Sequence, residues 1–451
     1  MQKSDTVGQY QGWWATKPVR VKEGVLFSYY SPSAREVFLA GDFNGWKKRA
    51  TPLIKGRDDV WRIILELKPG RYYDYKYIVD GNWLNDPNNP DLNPDVAGGA
   101  NSVIYLGANG DILPQGHPER HKFSLEGRGI YLKSYQSRKY NRKFEFHYVS
   151  LEHRQGDKLP VIICLNNYVK SQKLHLFARE NRFLAIIPSV DLGGQYIRQG
   201  RLDVFPELLD VIKESFSIDE DRIFVTGMSN GALEALLVSM HYPDLIAASA
   251  VVFGPFKVRF YKDEIEDLNK VELEKFIDTL GYPQRMLTNL KNLPIYISHG
   301  GGDEAVPLDE GLVLHEIVRK LGAPSEFTSY PQYGHTWHMV DEDLPRVFGW
   351  VRRFKRNKFP RDISYTSPNG FFKSRIYWID FSPFKIQDEI KVKAALDRDN
   401  RIKLELQNIK WIKMRLNSHL LKLPGVVHVE TQNSAQEMEI LDEEKDIELA
   451  F

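Results

Sequence analysis

Arg222-Ile-Phe-Val-Thr-Gly-Met-Ser-Asn-Gly-Ala-Leu-Glu-Ala-Leu-Leu-Val238 changes character midway, and that change decides the fold of half the chain. Ile223-Phe-Val-Thr226 is rich in β-branched and aromatic residues, as a buried strand is, whereas Ala232 to Val238 consists mainly of good helix formers. Between them lies Gly227-Met-Ser-Asn-Gly231, a Gly-x-Ser-x-Gly pattern at a strand-to-helix junction. A sharp turn there lifts Ser229 clear of the sheet. Strand and helix then pass so close that the residues two before and two after the serine must be tiny, which Gly227 and Gly231 satisfy. Alone the pattern is weak; in this setting it marks Ser229 as a candidate nucleophile, against the plainer reading of a turn that serves only the fold.

Outward from this turn, residues 123–357 alternate apolar strands with amphipathic helices. Strands are expected at Val161–Leu165, Phe183–Ile187, Arg222–Thr226, Ala248–Phe253, Pro294–Ser298 and Glu326–Tyr330, and helices at Phe205–Ser215, Ala232–His241 and Leu312–Leu321. Such alternation implies a mostly parallel sheet covered on both faces. The single cysteine, Cys164, falls within the run Val161-Ile-Ile-Cys-Leu165 and is expected to be a buried strand residue; no intrachain disulfide is possible.

A serine hydroxyl needs a base to take its proton and a carboxylate to orient that base. Both follow in chain order: one strand runs into His299-Gly-Gly-Gly-Asp303-Glu-Ala-Val-Pro307, and a later one into Tyr333-Gly-His335-Thr-Trp-His338. Asp303 and His335 are the candidates. Glu304 is the rival acid, with Asp309 read as a surface carboxylate, and His338 is the rival base, expected to pack or line the rim.

These segments resemble the esterase branch of the α/β-hydrolases, with feruloyl-esterase-like and esterase-D-like enzymes the nearest comparison. The resemblance covers about half the chain and implies a Ser229, His335, Asp303 triad that forms an acyl-enzyme. The developing oxyanion needs two N–H donors. Asn230, at the helix start, supplies one. The loop after Leu165 should supply the other, and where this family usually shows His-Gly the chain reads Asn166-Asn167-Tyr168, so Asn167 is expected to stand in for glycine and Tyr168 to donate. No His-Glu-x-x-His, paired cysteine or phosphate-cradling glycine loop is present, so no metal or nucleotide cofactor is implied.

Residues 12–107 show strand-like alternation, as in Val25, Phe27 and Tyr29 or Tyr73, Tyr75 and Tyr77. Asn44-Gly45, Pro69-Gly70 and Asp80-Gly81 punctuate the runs, and Asp80-Gly81 is a tight-hairpin signal. A small all-β sandwich of immunoglobulin-like type is expected. Flat aromatic faces stack on pyranose rings, so Trp46 and Trp83, each beside a turn, are candidate sugar contacts, although either could be core. Val37-Phe-Leu-Ala-Gly-Asp-Phe-Asn-Gly-Trp46, Tyr75-Lys76-Tyr-Ile-Val-Asp-Gly-Asn-Trp83 and Gly98-Gly-Ala-Asn101 resemble the glycogen-binding module of the AMP-activated kinase β subunit and of isoamylase-type enzymes, family 48 of the carbohydrate-binding modules. That resemblance implies an α-glucan partner held by Trp46, Lys76, Trp83 and Asn101. Trp13, Trp14 and Trp61 are expected to pack internally.

Residues 108–122 lack periodicity and read as a linker; 358–433 return to short strands, a small C-terminal β domain; 434–451 are acidic and are expected to be a solvated tail. With 61 basic and 60 acidic residues in 451, the net charge of +1 offers no field for nucleic acid or an anionic membrane surface. No run approaches the ~18 apolar residues of a membrane span, and the start lacks the apolar core of a secretory signal, which reads as a soluble, cytoplasmic protein. The expectation is a multidomain serine esterase acting on a small ester and directed to α-glucan. The alternatives are a glucan-binding scaffold without turnover, or an acyltransferase using a sugar hydroxyl.

Overall fold

The computed structural model describes residues 10, 14–94, 100–151, 156–165, 168–188, 202, 204–368, 373–431, 435–440 and 444–450. The N-terminal region forms two antiparallel sheets. One holds Val19–Val21, Gly24–Tyr30, Val60–Leu65 and Ile54–Lys55 in that order; the other holds Val37–Gly41, Arg71–Val79, Ala100–Leu106 and Leu92–Pro94, with Asn82–Leu84 folded back on Arg71–Val79. Alternation dictates the packing. Val25, Phe27, Leu39, Tyr73, Tyr75, Tyr77 and Ile104 meet between the sheets, each such burial stabilising by about 2 kcal/mol. Asp74, Lys76 and Ile78 therefore belong to the opposite, outer face of the second sheet. The hairpin forms where expected: Val79 pairs with Asn82, and both Asp80 and Gly81 have positive φ.

The central region is an eight-stranded sheet in the order Ile130–Gln136, Lys143–Val149, Leu184–Pro188, Leu159–Leu165, Ile218–Met228, Ala248–Val252, Ile295–Gly300 and Ser325–Tyr330. The first three pair antiparallel and the rest parallel. Two apolar clusters cover its faces, one built with helices Val204–Ser215, Asn230–His241 and Asp309–Leu321, the other with Leu174–Glu180 and Trp337–Val351. This is an α/β-hydrolase sheet, and the carboxyl ends of its parallel strands share one edge, where such folds place their sites. Cys164 is fully buried in it, and burial pushes its thiol up, away from reactivity.

Beyond it, Asp362–Ser367, Ile390–Leu396, Arg401–Gln407, Gly425–Glu430 and Ala435–Ile440 form one sheet, and Arg375–Ile376, Ile379–Pro383, Ile409–Asn417 and Glu444–Ala450 a second, around a core that includes Trp378, Phe381 and Ile412. The expectation of a solvated acidic tail fails here. Residues 435–440 pair with Gly425–Glu430, and 444–450 with Ile409–Asn417. In Asp446-Ile447-Glu448-Leu449 the acids face water while Ile447 and Leu449 are buried, so the charge disguises one face of a strand.

Both flanking regions are docked on the hydrolase. On the C-terminal side, Asn289 donates to Thr366 O and accepts from Thr366 N, while Lys373 pairs with Asp244. On the N-terminal side, Tyr72 Oη donates to Lys170 O at 2.9 Å and Gln172 Nε2 to Tyr72 O at 3.1 Å. Residues 108–122, read as a linker, are pinned to the module. Leu113 N donates to Tyr105 O at 2.8 Å, and the Arg120 guanidinium forks onto Asp91 at 3.0 and 2.7 Å. Trp61 is buried as expected, but Trp14 is 81% exposed, and Trp13 lies outside the described residues.

Candidate active site

Strand Ile218–Met228 runs directly into Ser229, whose φ of 53° and ψ of −126° make the turn, and helix Asn230–His241 begins at the next residue. The cost of that backbone strain is held by packing. Ser229 N donates to Val252 O at 3.0 Å, and a Cβ on Gly227 would overlap the carbonyl oxygen of Gly231. Only glycine at 227 lets the helix leave so steeply, so the local sequence dictates that the hydroxyl stands at the sheet edge.

The loops after the next strands bring partners to it. His335 Nε2 is 2.9 Å from Ser229 Oγ, and His335 Nδ1 is 2.8 Å from Asp303 Oδ2. Asp303 Oδ1 accepts from the N–H groups of Ala305 and Val306, both at 2.9 Å. Burial pushes this carboxyl up, but the His335 hydrogen bond and charge and the two N–H donors outweigh it and hold it below the usual range. An ionised Asp303 therefore faces Nδ1, which leaves the Nε2 lone pair for the serine proton.

None of the three other candidates joins these hydrogen bonds. Glu304 is exposed, Asp309 lies in the first turn of its helix 3.7 Å from Lys262, and His338 packs with its ring 6.3 Å from that of Tyr73 in the N-terminal module. Burial and the charges of Arg71, Lys68 and Lys173 push His338 down to about 3, so it is neutral.

Two supporting residues have no role in the sequence reading. Phe253 adopts a φ of 37°, an outlier for an aromatic residue, and its ring lies 4.4 Å from that of His335, closing one face of the imidazole. His299, fully buried, has Nε2 2.9 Å from Val306 O and thus braces the loop whose N–H groups hold Asp303. Its place in His299-Gly-Gly-Gly-Asp303 was the available signal.

Asn230 opens its helix, so its N–H belongs to the first turn, which has no intrahelical acceptor. Tyr168 begins a short 3-10 turn at the end of strand Leu159–Leu165; its ring is buried edge-on to Trp337, and its hydroxyl lies 3.3 Å from Thr226 Oγ1. Asn166 and Asn167 lie outside the described residues.

In the N-terminal module, Trp46 and Trp83 come together, ring centroids 6.2 Å apart and planes 33° from parallel, with Trp83 42% exposed. Trp46 has a φ of 60°, and its indole N–H donates to Asp42 Oδ1 at 3.1 Å. Asn44 pins the turn beneath it by accepting from Gly41 N and donating to Leu39 O and Thr51 Oγ1. Lys76 is half-buried on the same sheet face as Trp83's partner Ile78. Asn101 is buried rather than displayed, paired across the sheet with Asn93, whose side chain donates to Asp74 Oδ1 at 2.8 Å. Among the described residues, no group of three or more His, Cys, Asp or Glu is set to hold a metal ion, and no helix is long and apolar enough to cross a membrane.

Comparison with known proteins divides the chain the same way. Residues 24–112 match the glycogen recognition site of AMP-activated protein kinase, and residues 200–356 match the prolyl oligopeptidase family. Over 77 residues the chain is 38% identical to the 5'-AMP-activated protein kinase subunit beta-2 of Homo sapiens, a match covering 17% of this chain and 27% of that protein. An uncharacterized secreted protein of Arthroderma benhamiae is 25% identical over 230 residues, 47% of this chain and 24% of its own length. The chain thus spans about a quarter of the length of these curated relatives. Among solved structures, the enterobactin esterase from Shigella flexneri is 13% identical with a TM-score of 0.48, over 76% of this chain and 97% of that one. The chain thus joins a region similar to the glycogen recognition site of AMP-activated protein kinase to an α/β-hydrolase domain similar over residues 200–356 to the prolyl oligopeptidase family.

Proposed function

We propose that the protein is a serine esterase directed to α-glucan. The observation that carries this reading is the unbroken hydrogen-bonded chain from Ser229 through His335 to Asp303. Ser229 Oγ attacks the ester carbonyl as His335 Nε2 takes its proton, and Asp303 stabilises the imidazolium. The N–H groups of Asn230 and Tyr168 receive the oxyanion, each worth about 3 kcal/mol in the transition state. His335 then returns the proton to the departing alcohol, and water repeats the sequence on the acyl-enzyme. Trp46 and Trp83 hold the glucan by stacking, with Lys76 contributing hydroxyl contacts and the buried Asn101 supporting the sheet from beneath.

The match of residues 200–356 to the prolyl oligopeptidase family supports a second reading, a serine peptidase, with the same chain of residues acting on an amide. One set of assays separates them. The full chain is expected to hydrolyse 4-nitrophenyl acetate and to take up a fluorophosphonate label, both lost in Ser229→Ala, and to migrate slowly through a glycogen-containing native gel. Cleavage of prolyl 4-nitroanilides without ester turnover would establish the peptidase, and free migration through glycogen would remove the glucan from the reading.

A further inference from the structure

The sugar-binding module does not hang beside the hydrolase; its Asn44–Lys47 turn lies against the loops that carry His335 and Asp303. A Cβ on Gly45 would come 2.9 Å from Thr336 Cγ2, and Thr336 directly follows His335. The Lys47 stem crosses both loops: Cβ atoms on Gly302 and Gly334 would lie 3.2 Å from its Nζ and 3.7 Å from its Cε. At Gly302 a side chain would crowd the ammonium, whereas at Gly334 it would only touch the stem, so the lysine lies along both loops in van der Waals contact. Trp46 sits between Gly45 and Lys47, so with 3.8 Å per residue step its Cα lies within about 15 Å of that of His335.

The side of the triad on which the module rests carries chemical meaning. His335 must protonate the leaving alkoxide, so the alcohol half of the ester occupies the His335 side of Ser229. The module's turn abuts the loop that carries His335, at Thr336 and Gly334. Among the described residues no carboxylate stands within ion-pair distance of Lys47, so its ammonium keeps donors for a ligand. Resting on the esterase reading above, we infer that the module and the hydrolase form one continuous site, in which the ester's alcohol is a hydroxyl of the α-glucan itself and Lys47 binds sugar hydroxyls between the tryptophan pair and the base. The substrate class is an O-acylated α-glucan. A small ester that merely diffuses near a glucan does not use this turn.

The test uses the full chain and two readouts. Calorimetric titration with maltoheptaose requires no turnover: Lys47→Ala should weaken Kd about tenfold, the scale of a charge-assisted hydrogen bond, while Lys47→Arg, which keeps charge and donors, should stay within about threefold. Second, the ratio of kcat/KM for O-acetylated maltoheptaose to that for 4-nitrophenyl acetate should fall about tenfold in Lys47→Ala. An unchanged Kd, or an unchanged ratio, overturns the proposal. A wild-type protein that hydrolyses neither ester defeats the esterase reading instead, and the titration still decides whether Lys47 is part of the glucan site.

Discussion

Asp303→Asn should cost far more than the loss of one charge. In the native site one carboxylate oxygen accepts from His335 Nδ1 and the other from two backbone N–H groups, Ala305 and Val306. An amide has a single acceptor oxygen. Turning it toward the loop keeps two hydrogen bonds and turning it toward the histidine keeps one, so the favoured orientation points the NH2 group at His335. Nδ1 must then accept, the ring proton moves to Nε2, and Nε2 donates to Ser229 where it should receive. A base in the wrong tautomer loses about 10⁴-fold in kcat, or about 5.4 kcal/mol of barrier at 1.36 kcal/mol per decade. The assay is turnover of 4-nitrophenyl acetate, corrected for active sites by burst titration. Glu304→Gln is the control, since that side chain is exposed and outside the chain of hydrogen bonds. Activity of Asp303→Asn within tenfold of wild type, or equal losses in both variants, would refute the tautomer argument.

His335→Ala should be nearly as damaging as Ser229→Ala, because nucleophile and base act as a unit, whereas His338→Ala should stay within a few-fold of wild type; steady-state kinetics on the same ester decides, and the reverse order would exchange the two roles. Replacing both Trp46 and Trp83 with Ala should abolish retardation in glycogen-containing gels, and wild-type migration of a folded double variant would remove the stacking platform. The Asp42 carboxyl, which holds the Trp46 indole N–H, is pushed up to about 7, by burial first and by the neighbouring Asp74 charge second. Its unfolded value is near 4, so the folded chain binds the extra proton; the contribution to stability is complete below about pH 4, is lost as pH rises through about 7, and is gone well above it. Asp42→Asn should therefore flatten the fall in Tm across that window, and identical slopes in calorimetry would show that Asp42 does not cause it.

How much of this was legible depended on whether the chemistry was local in sequence. The turn at Ser229 could be read because strand, glycines and helix are contiguous, and Asp303 and His335 because each follows a strand end in a short, glycine-marked loop. Asp80-Gly81 was legible for the same reason: two residues carry the whole conformational demand. What escaped depends on contacts between distant segments. Phe253 looks like the end of an apolar strand until the histidine of a loop some eighty positions later lies on it. Asn101 matched a sugar-contact position, yet pairing of its strand with Leu92–Pro94 leaves it beneath the surface. The last strand was missed because acidic composition outweighed its period-2 alternation. Only the partner strand Ile409–Asn417 gives Ile447 and Leu449 somewhere to be buried.

The docking of the module changes what it contributes. A flexibly tethered sugar-binding domain raises the local concentration of glucan, by an amount its linker length sets, but leaves the orientation of any particular ester to chance. Here the freedom is removed at several points. Tyr72 is bonded to the backbone at Lys170, Gln172 returns the contact, Gly45 abuts Thr336, and Tyr73 faces His338. The segment that should have been a loose linker is itself clamped by Arg120 on Asp91. A glucan lying on Trp46 and Trp83 would therefore meet Ser229 in one register, and the entropy of aligning it would be met by the fold before the substrate arrives. The same rigidity limits which esters fit. Only those a fixed number of sugar units from the stacked rings could reach the nucleophile, so maltooligosaccharides acylated at different distances from the stacking position should differ in kcat as well as in KM.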